Sequence, residues 1–394
     1  MKAIIASAVC SSLLLLSGCS NSDSNNSAMQ KSVEAPQKTA LASGIEQANM
    51  DKSVRPQDNF YRYINGGWMN KNTIPGDKTA IGSFYDLRDK ADEDVKAIIE
   101  ELAATNNLKM GSDEQKVADL FRSYMDSEKR NADGIAPIQS ILSAINNLQT
   151  KDDLAKFFGT YSTAGINNPL ALYISIDAKN SSSYAIHIWQ NGLNLPDKDY
   201  YFNEAERFVK LRSGYVTHIE NMYNLAGFSS GKDAAKNIMA LETSLAQFHW
   251  TRVQSRDSEK TYNKLATNNL NSLTDKFNWQ AFLAAEGVSA QKDIIINQPD
   301  FIEGFGTVLA KTPLSVWKQY LTFNTLSAFS SYLTTDLDKE SFDFFSKQLS
   351  GRQEQRPQWK RGVSVVNRNL GEVIGKVYVA RHFTPEAKSR MSVL

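Results

Sequence analysis

Cysteine is almost missing from this chain: of 394 residues only Cys10 and Cys19 carry a thiol, and both fall in the first twenty positions. Everything after residue 19 therefore excludes an intrachain disulfide and a cysteine-ligated zinc site. Histidine is scarce as well. His187, His218, His249 and His382 are the full set, no two lie one helical turn apart, and none is followed by glutamate. The two imidazoles that H-E-x-x-H aims at one metal from one helix face are thus lacking. Neither sign of charge is in excess: 44 basic against 43 acidic side chains leave +1. That balance gives no electrostatic footprint for nucleic acid and no acidic tail. No apolar run reaches the ~20 residues of a membrane-spanning helix. No G-x-S-x-G elbow, phosphate loop or dinucleotide fingerprint occurs, and Gly66-Gly67 is too short to be either of the last two. No repeat with a period of 20–50 residues appears, which argues against a solenoid.

What is present begins at the N-terminus. Lys2 supplies a positive charge, an apolar run follows from Ala3 to Leu16, and the run closes in Leu16-Ser17-Gly18-Cys19. This is the layout of a secretory leader, and its close resembles a bacterial lipobox, in which small residues precede a cysteine whose sulfur becomes the lipid carrier. Residues 1–18 are predicted to be the signal peptide and Cys19 the lipidated first residue of the mature chain. An ordinary signal peptide with a chance cysteine is the alternative. Ser20, where an aspartate would retain the protein at the inner membrane, is similar to the pattern for outer-membrane sorting in Gram-negative bacteria. The expected location is the cell envelope, lipid-anchored in the outer membrane and facing the periplasm. Several acyl chains give a stable anchor, because each buried methylene contributes about 0.8 kcal/mol. Ser20 to Ser27 is all Ser, Asn and Asp, and polarity continues to about Ala48. Residues 19–50 are expected to be a flexible tether, since they cannot bury enough apolar surface to order themselves.

From residue 51 the chain is expected to be globular and mainly α-helical, and 41% hydrophobic residues suffice for a core. Ala91, Val95, Ile98, Ile99 and Leu102 recur at helical spacing, as do Val117, Leu120, Phe121 and Tyr124. So do Ile138, Ile141, Leu142 and Ile145, and then Leu154, Phe157, Phe158 and Tyr161. Longer helices are predicted from Phe208 to Ala226, stopped by Gly227, and from Ala234 to about His249. Thr312-Pro313 predicts an N-cap with proline at the first helical position, opening a helix from Leu314 to Leu333. One small β-hairpin interrupts the helices: Leu170 to Asp177 and Tyr184 to Gln190, joined by a turn over 178–182.

Aromatic and glycine-rich segments stand out from this background. They are Gln57-Asp58-Asn59-Phe60-Tyr61-Arg62-Tyr63-Ile64-Asn65-Gly66-Gly67-Trp68 with Ile74-Pro75 after it, Phe84-Tyr85-Asp86-Leu87-Arg88-Asp89, Gln190 to Tyr201, and Arg256 to Asn263. Taken residue by residue they suggest core aromatics, glycine turns and solvated charges, with Arg256 and Asp257 as candidates for a buried ion-pair network. His187, between Ala185 and Trp189 on one strand face, is expected to be a core or rim histidine, and His249 beside Trp250 to be structural.

In order and spacing these segments resemble the neprilysin family of zinc metallopeptidases, which includes the bacterial endopeptidases called oligopeptidase O. Later landmarks agree: Asn297-Gln298-Pro299-Asp300-Phe301, Gly351-Arg352-Gln353-Glu354-Gln355-Arg356-Pro357-Gln358-Trp359-Lys360-Arg361, and Leu370 to Val379. The resemblance spans residues 51–394 and covers the family's N-terminal half. It implies a mainly helical N-terminal lobe that caps a thermolysin-like lobe across a chamber admitting peptides. It places the zinc ligands and general base, on H-E-x-x-H and a following E-x-x-x-D helix, beyond Leu394. Zinc is accordingly expected in the complete enzyme and not on this chain, which contributes no catalytic or metal-binding residue. Its partners would be peptides, the missing catalytic lobe and, through Cys19, the membrane. One departure is visible. Where some members carry an arginine for a substrate's C-terminal carboxylate, just after Ile-Pro, this chain has Ala80, and Lys78 is the nearest cation.

Thr384-Pro385-Glu386 predicts a helix start, with Ala387, Met391 and Leu394 on one face; the end of the chain is therefore expected to interrupt a reading frame. The function expected is that of the N-terminal region of a lipid-anchored zinc endopeptidase, inactive alone. The alternative is a non-enzymatic lipoprotein that binds peptides or serves as a scaffold.

Overall fold

The computed structural model describes residues 44–393. The predicted signal peptide, Cys19 and the tether as far as residue 43 lie outside the described residues. The chain divides between Thr73 and Ile74 into two units.

The first unit holds a 3-10 turn at Gln47–Asn49, at the end of the predicted tether, and α1 (Phe60–Lys71). The Asn59 side chain caps α1 by accepting the Arg62 N–H at 2.9 Å. Gly66 and Gly67 lie inside this helix and not at a turn, for a steric reason. A Cβ on Gly66 would stand 2.5 Å from Asp51 Cβ, and one on Gly67 would stand 2.8 Å from the Met50 carbonyl oxygen. Phe60 and Tyr61, expected in a core, are exposed on α1.

The second unit opens with α2 (Ser83–Ala104), α3 (Asp113–Met125), α4 (Ser127–Asp133), α5 (Gln139–Asn146) and α6 (Lys151–Tyr161). Thr150 and Asp153 form a reciprocal capping box at the start of α6. Next come β1 (Leu170–Asp177), β2 (Asn180–Gln190), α7 (Asp199–Phe202), α8 (Glu206–Leu225) and α9 (Gly231–Ala246). Gly227, at φ +83°, ends α8 as the sequence predicts. After β3 (Asn263–Ala266), α10 (Trp279–Ala285) and β4 (Asp293–Ile296) come α11 (Pro299–Lys311), α12 (Leu314–Phe329) and α13 (Thr335–Ser341). A π-helical segment at Phe342–Gln348 leads toward α14 (Gln358–His382), which breaks at Leu370, and α15 (Pro385–Met391). No helix among the described residues is long and apolar enough to cross a membrane.

The fold is mainly α, as expected, but the hairpin is larger than predicted. It forms half of a four-stranded sheet ordered β1-β2-β4-β3, with β2 and β4 parallel and the other pairs antiparallel. The predicted five-residue turn is also shorter, because β2 begins at Asn180, directly after Ala178-Lys179. At α12 the expected cap shifts. Pro313 itself is the N-cap, and Thr312 closes α11. Thr384 caps α15 as predicted, its hydroxyl accepting the Ala387 N–H at 3.2 Å.

Two apolar clusters form inside this unit. The larger packs α5, α6 and α8–α13 against the sheet, with Trp317, Tyr320 and Phe323 of α12 fully buried. The smaller joins α2, α3 and α14 through Val95, Ile98, Ile99, Val117, Phe121, Val363 and Val366. Gly362 lets α14 approach closely, since a Cβ there would meet the Phe121 ring at 2.8 Å.

Candidate functional site

The apolar stripe of α9, made by Ala234, Ala235, Ile238, Leu241 and Leu245, contains one carboxylate, Glu242, which is fully buried. A buried charge survives only when hydrogen bonds replace its water, and four donors converge here. The Tyr201 hydroxyl donates at 2.5 Å, the Tyr215 hydroxyl at 2.8 Å, Asn194 Nδ2 at 2.7 Å and the Asn194 backbone N–H at 3.3 Å. Asn194 Nδ2 also donates to Asn324 Oδ1 at 2.8 Å, and Asn324 donates to the Asn167 carbonyl at 2.8 Å. Burial pushes the Glu242 carboxyl above its usual range against the pull of these donors. Burial and then the neighbouring carboxylate drive the Tyr201 and Tyr215 hydroxyls well above the usual phenol range.

The Gln190–Tyr201 segment therefore builds a saturated polar node. Gly192, at φ +97°, turns the chain against Pro169, and its carbonyl accepts the Tyr320 hydroxyl at 2.8 Å. Glu242 was absent from the sequence candidates. The legible signal was its place on an apolar stripe, where a charge must find partners.

The four histidines do not converge. His249 donates through Nε2 to the Asn191 carbonyl at 3.1 Å and meets Phe301 edge-on, and burial pulls its pKa down to about 4. His218 Nδ1 lies 3.0 Å from Glu340 Oε1, with the ring stacked on Phe344. His187 is buried and stacks on Tyr173 across the β1–β2 pair, with neither ring nitrogen hydrogen-bonded. Burial lowers its pKa as well. His382 stacks on Tyr378 and stands 3.7 Å from Asp94. His187 and His249 are thus buried structural residues, as the sequence suggests.

The Arg256–Asn263 segment corrects one expectation. Asp257 caps its own turn by accepting the Lys260 N–H at 3.1 Å and the Glu259 N–H at 3.2 Å, and it pairs at the surface with Lys260 at 3.4 Å. Arg256 is exposed. No buried network forms there, because a short polar turn leaves both side chains in water. The useful member is Tyr262, whose hydroxyl donates to Asp177 at 2.9 Å beside Lys264 at 3.1 Å. The Lys179 N–H, chiefly, with Lys264 and Tyr262 added, holds Asp177 down at about 2 and fixes the hairpin corner.

Lys78 forms an ion pair with Asp89 on α2, and Ala80 is half-buried. The Ile74-Pro75 segment instead meets the 351–361 landmark. The Gly76 carbonyl accepts the Gln353 N–H at 3.0 Å and the Glu354 N–H at 2.8 Å, and a Cβ on Gly76 would strike the Glu354 side chain. Arg356 then pairs with Asp92 at 3.1 Å, and Arg361 pairs with Asp338. These contacts clasp α2 and α13 to the start of α14. They position elements and present no nucleophile–base pair to a cavity.

Among the described residues no group of three or more His, Cys, Asp or Glu side chains is arranged to hold a metal ion. This donor set does not fit a zinc centre, which needs at least three protein ligands around one point. Cys19 lies outside the described residues.

Residues 56–394 match the family model described as peptidase family M13. The chain is 26% identical to endothelin-converting enzyme 1 of Homo sapiens over 357 residues, covering 87% of this chain and 46% of that protein. Among solved structures it is similar to the inhibitor complex of Mycobacterium tuberculosis zinc metalloprotease Zmp1. The identity is 32%, the TM-score 0.84, and the match covers 90% of this chain and 54% of that one. PepO of Lactobacillus rhamnosis HN001, at 19% identity and TM-score 0.71, shares the fold over 86% of this chain and 54% of that one. The chain thus spans about half the length of the relatives it matches.

Proposed function

The chain belongs to peptidase family M13, and on that premise we propose that it is the non-catalytic N-terminal region of a zinc-dependent endopeptidase that hydrolyses peptides. One observation carries the reading: a continuous match over residues 56–394, across about half the length of relatives that include a zinc metalloprotease. This chain's role is mechanical. Its helical lobe forms chamber walls and size exclusion, and the saturated Glu242 node keeps those walls rigid. The exposed Phe84 and Leu87 of α2 support a surface that a further lobe covers. Leu16-Ser17-Gly18-Cys19 supports removal of residues 1–18, lipidation at Cys19, and display from the outer membrane on the tether.

The test is to read the gene past the Leu394 codon and express the whole product. The expected outcome is an H-E-x-x-H segment in some frame, and a product that cleaves short peptides in a chelator-sensitive way while sparing folded proteins. A clean stop followed by unrelated sequence overturns the reading in favour of a binding lipoprotein. Palmitate labelling that is lost in Cys19→Ser tests the anchor separately.

A further inference from the structure

We propose that the cleft between the π-helical segment and the first turns of α14 binds one small oxyanion, through the guanidinium groups of Arg352 and Arg368. The cleft holds about 270 Å³, and its charged lining is Asp338, Arg352, Arg356, Arg361 and Arg368. Four positive charges thus surround one negative charge. Two of the four are already neutralised: Arg361 pairs with Asp338, and Arg356 pairs with Asp92 while donating to Ser364 at 3.2 Å. Arg352 and Arg368 have no carboxylate within ion-pair distance among the described residues. In addition, the Nε–H groups of Arg352 and Arg361 are buried and have no hydrogen-bond partner. Unpaired positive charge beside unmet buried donors is the arrangement that an incoming oxyanion satisfies.

The local backbone builds this site. The π-helical turn at Phe342–Gln348 widens the helix, a feature that recurs at functional sites. Gly351, at φ +80°, reverses the chain, and the Arg352 N–H donates to the Ser346 carbonyl at 2.9 Å, which holds Arg352 against the π segment. The cleft is smaller than the ~300–1,000 Å³ of ordinary ligand pockets, so it takes one phosphate, sulfate or carboxylate group and not a whole peptide. The planar fork of arginine matches such a group in a bidentate manner. The anion is either a free inorganic ion or a carboxylate carried on a side chain. This inference does not rest on the peptidase reading.

Isothermal titration of the purified chain with sodium phosphate, and separately with N-acetyl-glutamate, at constant ionic strength, tests it. The expected result is saturable one-to-one binding of at least one of the two. Arg352→Gln and Arg368→Gln should each weaken it about tenfold, and Arg207→Gln, at an exposed position of α8, should leave it unchanged. Phosphate binding alone identifies a free anion, and N-acetyl-glutamate binding alone identifies a carboxylate. Arg368 is exposed, so its variant keeps the test valid if Arg352→Gln unfolds. No saturable heat with either anion, or equal binding by folded Arg368→Gln, overturns the proposal.

Discussion

Between the sheet and α12 the second unit packs aromatic rings on all sides, with Phe158, Phe277, Phe305 and Tyr320 within ring contact of one another or of Trp317. Between α2, α3 and α14 it has a smaller, mostly aliphatic seam around one buried ring, Phe121, whose rim is held by the pairs Lys78–Asp89, Arg356–Asp92 and Arg381–Glu101. The first region buries the Glu242 carboxylate and satisfies it internally with the Tyr201, Tyr215 and Asn194 donors. The second holds its polar groups in ion pairs that run from half-buried to exposed, and it exposes Phe84, Leu87 and Val379. The difference separates two tasks. The sheet-side core is dense with aromatic rings, whereas the three-helix bundle exposes apolar side chains and, where it meets the π segment, arginines without a carboxylate partner among the described residues. Stability should therefore depend on the first region far more than on the second.

The strongest challenge to that division is Glu242→Ala. Removing the carboxylate strands the Tyr201, Tyr215 and Asn194 donors in the core, and should lower unfolding stability by about 3–5 kcal/mol in urea titration. A loss under about 1 kcal/mol would show that the node does not organise the core.

A slightly smaller effect is expected from acid. His249 is held neutral by burial, with its pKa lowered from 6.5 to about 4. In the unfolded chain it takes up a proton on passing below 6.5, while in the fold it resists until about 4. Its stabilisation is therefore complete above pH 6.5 and is lost as pH falls toward 4, by about 3 kcal/mol at most. His187, also lowered by burial, adds in the same direction. Asp177 loses its contribution only further down, as pH falls from 3.8 toward about 2. Urea melts at pH 7, 5.5 and 4.5 should show the loss, and His249→Gln should flatten it.

The smallest effect belongs to the rim. Arg381 and Glu101 form a two-pronged pair at 2.7 and 2.9 Å, but both are well exposed. Arg381→Ala should shift the melting temperature barely measurably, and less still at high salt. A large shift would mean that the three-helix region carries stability assigned here to the sheet side.

Much of this division was legible before the structure, because it follows from spacing. The stripe Val95, Ile98, Ile99 and the stripe Val117, Phe121 meet on facing helices, and the Phe208–Ala226 prediction differs from α8 by a residue or two at each end. β4 was not legible. Three isoleucines buried on a short central strand show no alternation, and their pairing with β2 joins distant parts of the chain. The clasp was hidden for the same reason, since Arg356 and Asp92 lie 264 residues apart. Phe84 and Phe60 were expected inside because aromatic residues usually are, and the described chain leaves both exposed. The Glu242 node was half-visible, as a charge on an apolar stripe whose partners the sequence did not identify.

The most direct test of the account, in which this chain supplies walls and not chemistry, is its own zinc content and peptide turnover. The purified chain would be dialysed against zinc, assayed for bound metal, and incubated with quenched fluorescent peptides with and without chelator. The account predicts substoichiometric zinc and no chelator-sensitive cleavage. One tightly bound zinc per chain together with chelator-sensitive hydrolysis would contradict it.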